Sequence, residues 1–217
     1  MRRPPAPNSA WWAAEPVLPH PPLLVITDRS QARGDLADII AAACAAGCRW
    51  FSLREKDLPE GEQIALFARL RTVTRPYGAT LTLHGPATLA AAAGADGVHL
   101  SAGSDPAAAR ALLGSTALIG LSTHTRAEAA AADPAHLDYI TLSPLFPTPS
   151  KPGYGPALGL PGLTEIATTA RVPVIALGGI TAETAATCRA AGAAGAAVMG
   201  SVMRAGDVGR EVRGVVG

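Results

Sequence analysis

The chain reads as an α/β protein, a single-domain (β/α)8 TIM barrel with a Pro-rich N-terminal tail, and three features predict this. From Leu23 onward, eight short β-type runs alternate with alanine-rich helical stretches. Strands separated by helices need crossover connections and therefore lie parallel. Eight such units in roughly 195 residues suit a closed eight-stranded barrel at the compact end of its range. The turns Ala-Ala-Gly-Cys, Ala-Gly-Ala-Asp and Ala-Gly-Ala-Ala-Gly recur just before strands, where glycine ends a helix in the left-handed conformation. A doubly wound open sheet is the runner-up.

In chain order, the strand runs are LLVIT (23–27), RWFSL (49–53), ATLTL (79–83), GVHL (97–100), LIGLS (118–122), YITLS (139–143), VPVIAL (172–177) and AAVMG (196–200). Between them lie the helical runs DLADIIAAACAAG, EGEQIALFARLRTV, ATLAAAAG, PAAARALL, RAEAAAA, GLTEIATTA and AETAATCRAAG. The barrel accordingly takes residues 22–217. Residues 1–21 hold six prolines, which break any helix, and lack a continuous apolar core of the kind a signal peptide has. They read as a flexible or surface-draped tail, in which Trp11 and Trp12 could dock on the barrel or a partner.

The 217 residues suit one domain with a proper core. Lys plus Arg number 18 against 17 Asp plus Glu, so electrostatics make no case for a nucleic-acid or membrane partner. Only nine residues are aromatic, which favours close helix-on-sheet packing. Cys44, Cys48 and Cys188 form no CxxC pair and read as buried free thiols in a reducing, cytoplasmic setting. No run of about 18 apolar residues occurs.

In such a barrel the active site lies at the C-terminal ends of the strands. Side chains alternate along a strand, and the inward parity at the upper ends is largely polar. It collects Ser52, Arg54 and Lys56; Thr80, Thr82 and His84; His99 and Ser101; Ser122 and His124; and Thr141 and Ser143. After strands seven and eight, ALGGIT and AVMGSV put Gly178, Gly179, Gly200 and Ser201 where this fold usually binds phosphate. The loop SPLFPTPSKPG (143–153) adds Thr148, Ser150 and Lys151. Its four prolines lower the entropy lost on closing over an anion, and Gly153 and Gly155 leave it a hinge, the pattern of a lid. Asp28 and Arg29 either face the site or cap a helix.

Taken together, ITDR, FSLREKD, AGADGVHL, IGLSTHT, SPLFPTPSKPG and PVIALGGIT resemble the thiamine-phosphate synthase and thiazole tautomerase family from about residue 23 to 203. The resemblance implies a TIM-barrel enzyme that binds thiazole phosphate through Thr148, Ser150, Lys151, Gly178, Gly179 and Ser201. The synthase joins that phosphate to hydroxymethylpyrimidine diphosphate, whereas the tautomerase moves a proton to aromatise thiazole carboxylate phosphate. The chain departs from the synthase pattern at three places. Ser52 stands where synthases carry a pyrimidine-binding glutamine. His84-Gly85 replaces an Asn-Asp pair whose Asp binds magnesium, and Ser101 to Ser104 lack the second magnesium carboxylate.

The resemblance therefore implies first a tautomerase with no cofactor and no metal site, in which His124 is the acid/base group. Arg54 and Lys56 complete the catalytic set, and Ser52, His84 and Ser122 contact substrate beside the phosphate loops. The alternative is a synthase using Mg2+ with altered ligation, and the second alternative is a non-catalytic thiazole-phosphate binder. Expected partners are the small-molecule phosphate alone, with a homodimer permitted.

Overall fold

The computed structural model describes residues 18–148 and 156–217. The residues Trp11, Trp12, Ser150, Lys151, Gly153 and Gly155, and with them the expected tail up to residue 17 and the hinge of the loop, lie outside these.

Eight parallel strands close on themselves in chain order: β1 (Leu23–Ile26), β2 (Trp50–Leu53), β3 (Thr80–His84), β4 (Gly97–Leu100), β5 (Leu118–Thr123), β6 (Tyr139–Leu142), β7 (Val174–Leu177) and β8 (Gly195–Val198). Leu24 of β1 is in register with Trp50 of β2 on one side and Ala197 of β8 on the other, which shuts the barrel. The connecting helices are α1 (Leu36–Ala45), α2 (Glu60–Thr74), α3 (Ala87–Ala92), α4 (Pro106–Leu113), α5 (Arg126–Ala130), α6 (Gly159–Thr169) and α7 (Ala182–Ala190). After β8 come the short α8 (Gly200–Met203) and α9 (Val208–Val216). No helix among the described residues is long and apolar enough to cross a membrane.

Local chemistry explains where these helices start and stop. Asp35, Asp105 and Asp207 each accept a hydrogen bond from a first-turn backbone N–H, and Thr125 and Thr181 form capping boxes. Gly47, Gly94 and Gly192 follow the last turns of α1, α3 and α7 with φ of 104°, 62° and 101°. These are the three glycine turns expected from the repeated Ala-Gly motifs. At the base of the barrel, Asp96 pairs with Arg71 at 2.7 Å and accepts from the Leu81 N–H at 2.8 Å. Asp138 repeats the arrangement with Arg110 at 2.8 Å and the Ile119 N–H at 2.6 Å.

Two apolar clusters follow from strand alternation. Outward residues such as Val25, Phe51, Leu81, Val98, Ile119 and Ile140 pack under the helices. Inward residues Leu24, Ile26, Trp50, Leu118, Tyr139, Ile175 and Ala197 fill the barrel itself, and Leu18 packs against them. The Trp50 and Tyr139 rings meet edge to face with centroids 4.7 Å apart. Room for the Tyr139 ring comes from a missing side chain, since a Cβ on Gly120 would sit 2.1 Å from it; separately, a Cβ on Gly97 would sit 1.9 Å from the Leu118 carbonyl oxygen of the next strand. The three cysteines are buried and unpaired, and desolvation raises the Cys44 and Cys48 thiols to about 11 and 12.

Overpacking of this kind costs about 1–3 kcal/mol. Gly120→Ala is accordingly expected to lower the free energy of urea unfolding by that amount. Adding Tyr139→Leu is expected to recover part of the loss, so the double-mutant cycle should be non-additive.

Candidate active site

The C-terminal ends of the strands surround a cavity of about 510 Å³. Three facing groups of residues line it.

The first group comes from β2. Arg54 and Lys56 line the cavity just beyond Leu53, and a buried carboxylate sets the course of the backbone that carries them. Glu55, with its side chain only 2 % exposed, accepts from the Thr27 hydroxyl at 2.7 Å and from the Arg29 N–H at 3.1 Å. Thr27 Oγ1 in turn accepts from the Arg54 N–H at 2.9 Å. Desolvation raises the Glu55 carboxyl above the ordinary range, and the hydrogen bonds from Thr27 and Arg29 oppose that rise. Lys56 Nζ lies 3.4 Å from Ser101 Oγ across the mouth.

The open question about Asp28 and Arg29 is answered by the same network. Neither lines the cavity. The Arg29 guanidinium pairs with Asp57 at 2.5 Å, and Asp28 accepts from the Ser30 hydroxyl at 2.6 Å and from Gln31.

The second group is the histidine wall. His84 at the end of β3 and His124 just beyond β5 both line the cavity with Ser122. His124 Nδ1 lies 2.8 Å from the Ser143 carbonyl oxygen. A carbonyl only accepts, so Nδ1 carries the hydrogen, and in the neutral ring the lone pair is on Nε2. Glu128 holds the strand end by accepting from the His124 N–H at 2.6 Å and the Thr125 N–H at 3.0 Å. Beneath this wall, His99 is completely buried and its ring lies tilted by 47° against that of His84, with centroids 4.8 Å apart. Its ring nitrogens lie 3.0 Å from the Tyr139 hydroxyl and 3.0 Å from Ser122 Oγ. The chain from Tyr139 through His99 to Ser122 thus links the ring plug to the cavity floor.

The third group comes from β6, β7 and β8. Pro144, Pro147 and Thr148 line the cavity beside Gly178, Gly179, Gly200 and Ser201. The two loops touch backbone to backbone: Leu145 N–H donates to Leu177 O and Phe146 N–H to Gly178 O, both at 3.0 Å. Gly179 has φ of 66°, and a Cβ there would lie 2.7 Å from both Phe146 Cβ and Pro147 O, so both conformation and space require glycine. The buried Ser201 Oγ finds no hydrogen-bond partner among the described residues. A residue that sequence reasoning missed, Arg204, also lines this side, where its guanidinium donates to Gln31. It sits four positions after Gly200, one turn into the segment after β8. That spacing, with a cation one turn after the glycine that follows β8, is the signal that could have found it.

The expected site residues therefore divide by depth. Arg54, Lys56, His84, Ser122, His124, Thr148, Gly178, Gly179, Gly200 and Ser201 come together around one cavity. Ser52 does not: it is completely buried below the mouth, and its Oγ finds no partner among the described residues. No group of three or more His, Cys, Asp or Glu side chains among the described residues is placed to hold a metal ion.

The family model of thiamine monophosphate synthase matches residues 23–202. A thiamine-phosphate synthase of Roseiflexus sp. (strain RS-1) is 40% identical over 186 residues, covering 84% of this chain and 78% of its own. One of Methanoculleus marisnigri is 40% identical over 188 residues, covering 86% and 89%. The solved thiamine phosphate pyrophosphorylase from Pyrococcus furiosus superposes with a TM-score of 0.78 at 30% identity, over 89% of this chain and 92% of that one. These names overturn the expectation of a tautomerase. That expectation rested on His124 and on the missing magnesium carboxylates, and a histidine tethered to a backbone carbonyl serves substrate contact as well as proton transfer.

Burial, together with the charge of Lys56, pushes His99 down to about 3, whereas an unfolded imidazole titrates near 6.5. The stability gained by keeping His99 neutral is therefore complete above about pH 6.5 and is lost as pH falls toward 3. Urea unfolding across that window should show up to about 1.4 kcal/mol of loss per pH unit from this group. His99→Gln should lack that part of the slope.

Proposed function

Because the chain belongs to the thiamine monophosphate synthase family, we propose that it joins a thiazole phosphate to hydroxymethylpyrimidine diphosphate, forming thiamine phosphate and releasing pyrophosphate. The observation that carries this reading is the pair of anion-binding walls that face one cavity: Arg54 and Lys56 on the β2 side, and the glycine loops with Ser201 and Arg204 on the β7 and β8 side. A tautomerase substrate, with a carboxylate besides its phosphate, would also meet both walls, and it is the relatives named as thiamine-phosphate synthases that favour the two-substrate reaction.

In this reading the thiazole phosphate sits against Gly178, Gly179, Gly200 and Ser201, where backbone N–H groups and the buried Ser201 hydroxyl can donate to its oxygens. Arg204 adds a charged donor, Thr148 adds a hydroxyl, and Ser150 and Lys151 belong to the same loop. The diphosphate lies against Arg54 and Lys56. Ser122, His84 and the Nε2 lone pair of His124 surround the space between, where the pyrimidine ring and its amino group fit.

The chemistry suits such a site. The thiazole nitrogen attacks with its own lone pair and the leaving group is already ionised, so no base has to remove a proton. What the protein must supply is orientation of the two rings and stabilisation of charge developing on the departing oxygen. His124 accordingly serves as a positioning acceptor rather than as a proton donor. The magnesium that the resemblance implies for a synthase finds no fitting carboxylate set among the described residues of the cavity, and no step is routed through it.

The direct test incubates the full chain with both substrates and follows thiamine phosphate and pyrophosphate. Equal release of the two is expected, and failure to form either would sink the reading. Arg204→Ala should raise KM for thiazole phosphate by about ten- to a hundredfold, the worth of one charge-assisted hydrogen bond, and change kcat little.

A further inference from the structure

The walls of the cavity carry two arginines, one lysine and two histidines, and among the described residues that line it there is no aspartate or glutamate. At the mouths of β3 and β4, where the resemblance places carboxylates, the chain has His84-Gly85 and Ser101-Ala102-Gly103-Ser104. The acidic groups that follow β1 and β2, and the one that opens α4, already have other duties. Asp28 is bonded by Ser30 and Gln31, Glu55 is buried under Thr27 and Arg29, and Asp57 pairs with Arg29. Asp105 accepts from the first-turn N–H groups of Ala107 and Ala108 at 2.9 and 3.2 Å. The segment 149–155, PSKPGYG, contains a lysine and no acidic residue.

A magnesium ion demands near-octahedral oxygen ligation and is ordinarily anchored by one or two carboxylates. Among the described residues, the lining of this mouth offers hydroxyls, the His84 ring and positive charge, and the positive charge repels a dication. The same positive charge is what a diphosphate needs.

We propose, resting on the synthase reading, that Arg54 and Lys56 replace the divalent cation in this chain: they hold the diphosphate through the reaction, and the protein anchors no metal ion on it. In the step they assist, the bond between the pyrimidine methylene carbon and the diphosphate oxygen breaks. Its electron pair goes to that oxygen, which leaves carrying one further negative charge. The lone pair of the thiazole nitrogen forms the new carbon–nitrogen bond, and the nitrogen takes the positive charge. No proton moves, and no redox partner is consumed. The charge that appears on the leaving oxygen is met by guanidinium and ammonium donors that are already in place and need no reorganisation. The hydrogen bond between Lys56 and Ser101 at 3.4 Å brings the ammonium group from the end of β2 to the end of β4, one of the two places where the resemblance puts a carboxylate.

The experiment uses the full chain after chelator treatment, with inorganic pyrophosphate as the probe in calorimetry and the two-substrate assay run in parallel, each in excess EDTA and again in Mg2+. Pyrophosphate affinity and the rate of thiamine phosphate formation should both stay within about threefold between the two conditions, less than the loss of one charge-assisted bond. In EDTA, Lys56→Ala should weaken pyrophosphate binding by about tenfold or more and Lys56→Arg should restore part of it. Lys56 is exposed, so its truncation leaves the core intact. Pyrophosphate binding that appears only with Mg2+, binding absent in both conditions, or a rate that falls about a hundredfold in EDTA and returns with Mg2+ overturns the proposal. Pyrophosphate bound equally in both conditions with no thiamine phosphate formed in either contradicts the synthase reading instead, and leaves metal-free diphosphate binding standing.

Discussion

Two large rings fill the interior of the barrel, and the rest of the molecule accommodates them. An eight-stranded barrel has an interior just wide enough for side chains to fill. With Trp50 and Tyr139 meeting inside it, neighbouring inward positions must be small. Gly120, directly over the Tyr139 ring, and Ala197 are the visible consequences. The plug also has a polar end. The Tyr139 hydroxyl is buried and must be hydrogen-bonded, and it meets His99, which passes the connection on to Ser122 at the cavity floor. A packing constraint low in the barrel thus sets the level at which open space begins.

Above that level, buried polar atoms and close backbone contacts hold the site. On the β1 and β2 side a carboxylate with almost no exposure binds two loops together and leaves the Arg54 N–H on the Thr27 hydroxyl. On the β6 and β7 side the loop beginning Ser143-Pro144 is hydrogen-bonded to the glycine turn after β7, at a separation only glycine permits. Both devices fix main chain, and the side chains that project from it are therefore preorganised. Preorganised donors are what charge stabilisation at a departing anion requires.

The proposed reaction class rests on the family and on this distribution of charge more than on any single residue. His124, taken in sequence as an acid/base group, is held by the Ser143 carbonyl in one tautomer. Two cationic or N–H-rich walls across one cavity suit a substrate pair with an anionic group at each end. The relatives named as thiamine-phosphate synthases point the same way.

Much of this was legible from residue order. The eight alternating runs, the glycine-terminated helices and the period-two pattern at strand ends specify a parallel barrel and say which residues face inward, because backbone geometry leaves no other arrangement for them. The glycine pair after β7 and the glycine after β8 were legible for the same reason. Depth was not. Parity places Ser52 and Arg54 on one face of β2, yet only the stagger of the closed barrel decides that Ser52 lies completely buried and Arg54 reaches the cavity. Nor could residue order reveal that Glu55 joins Thr27 and Arg29 from nearly thirty residues away, or that Arg204 shares the cavity with the glycine loops after β7 and β8. Sequence determined which groups exist and which way each strand turns them. Tertiary structure decided which of them share a volume, because that depends on closure, and closure is a property of all eight strands together.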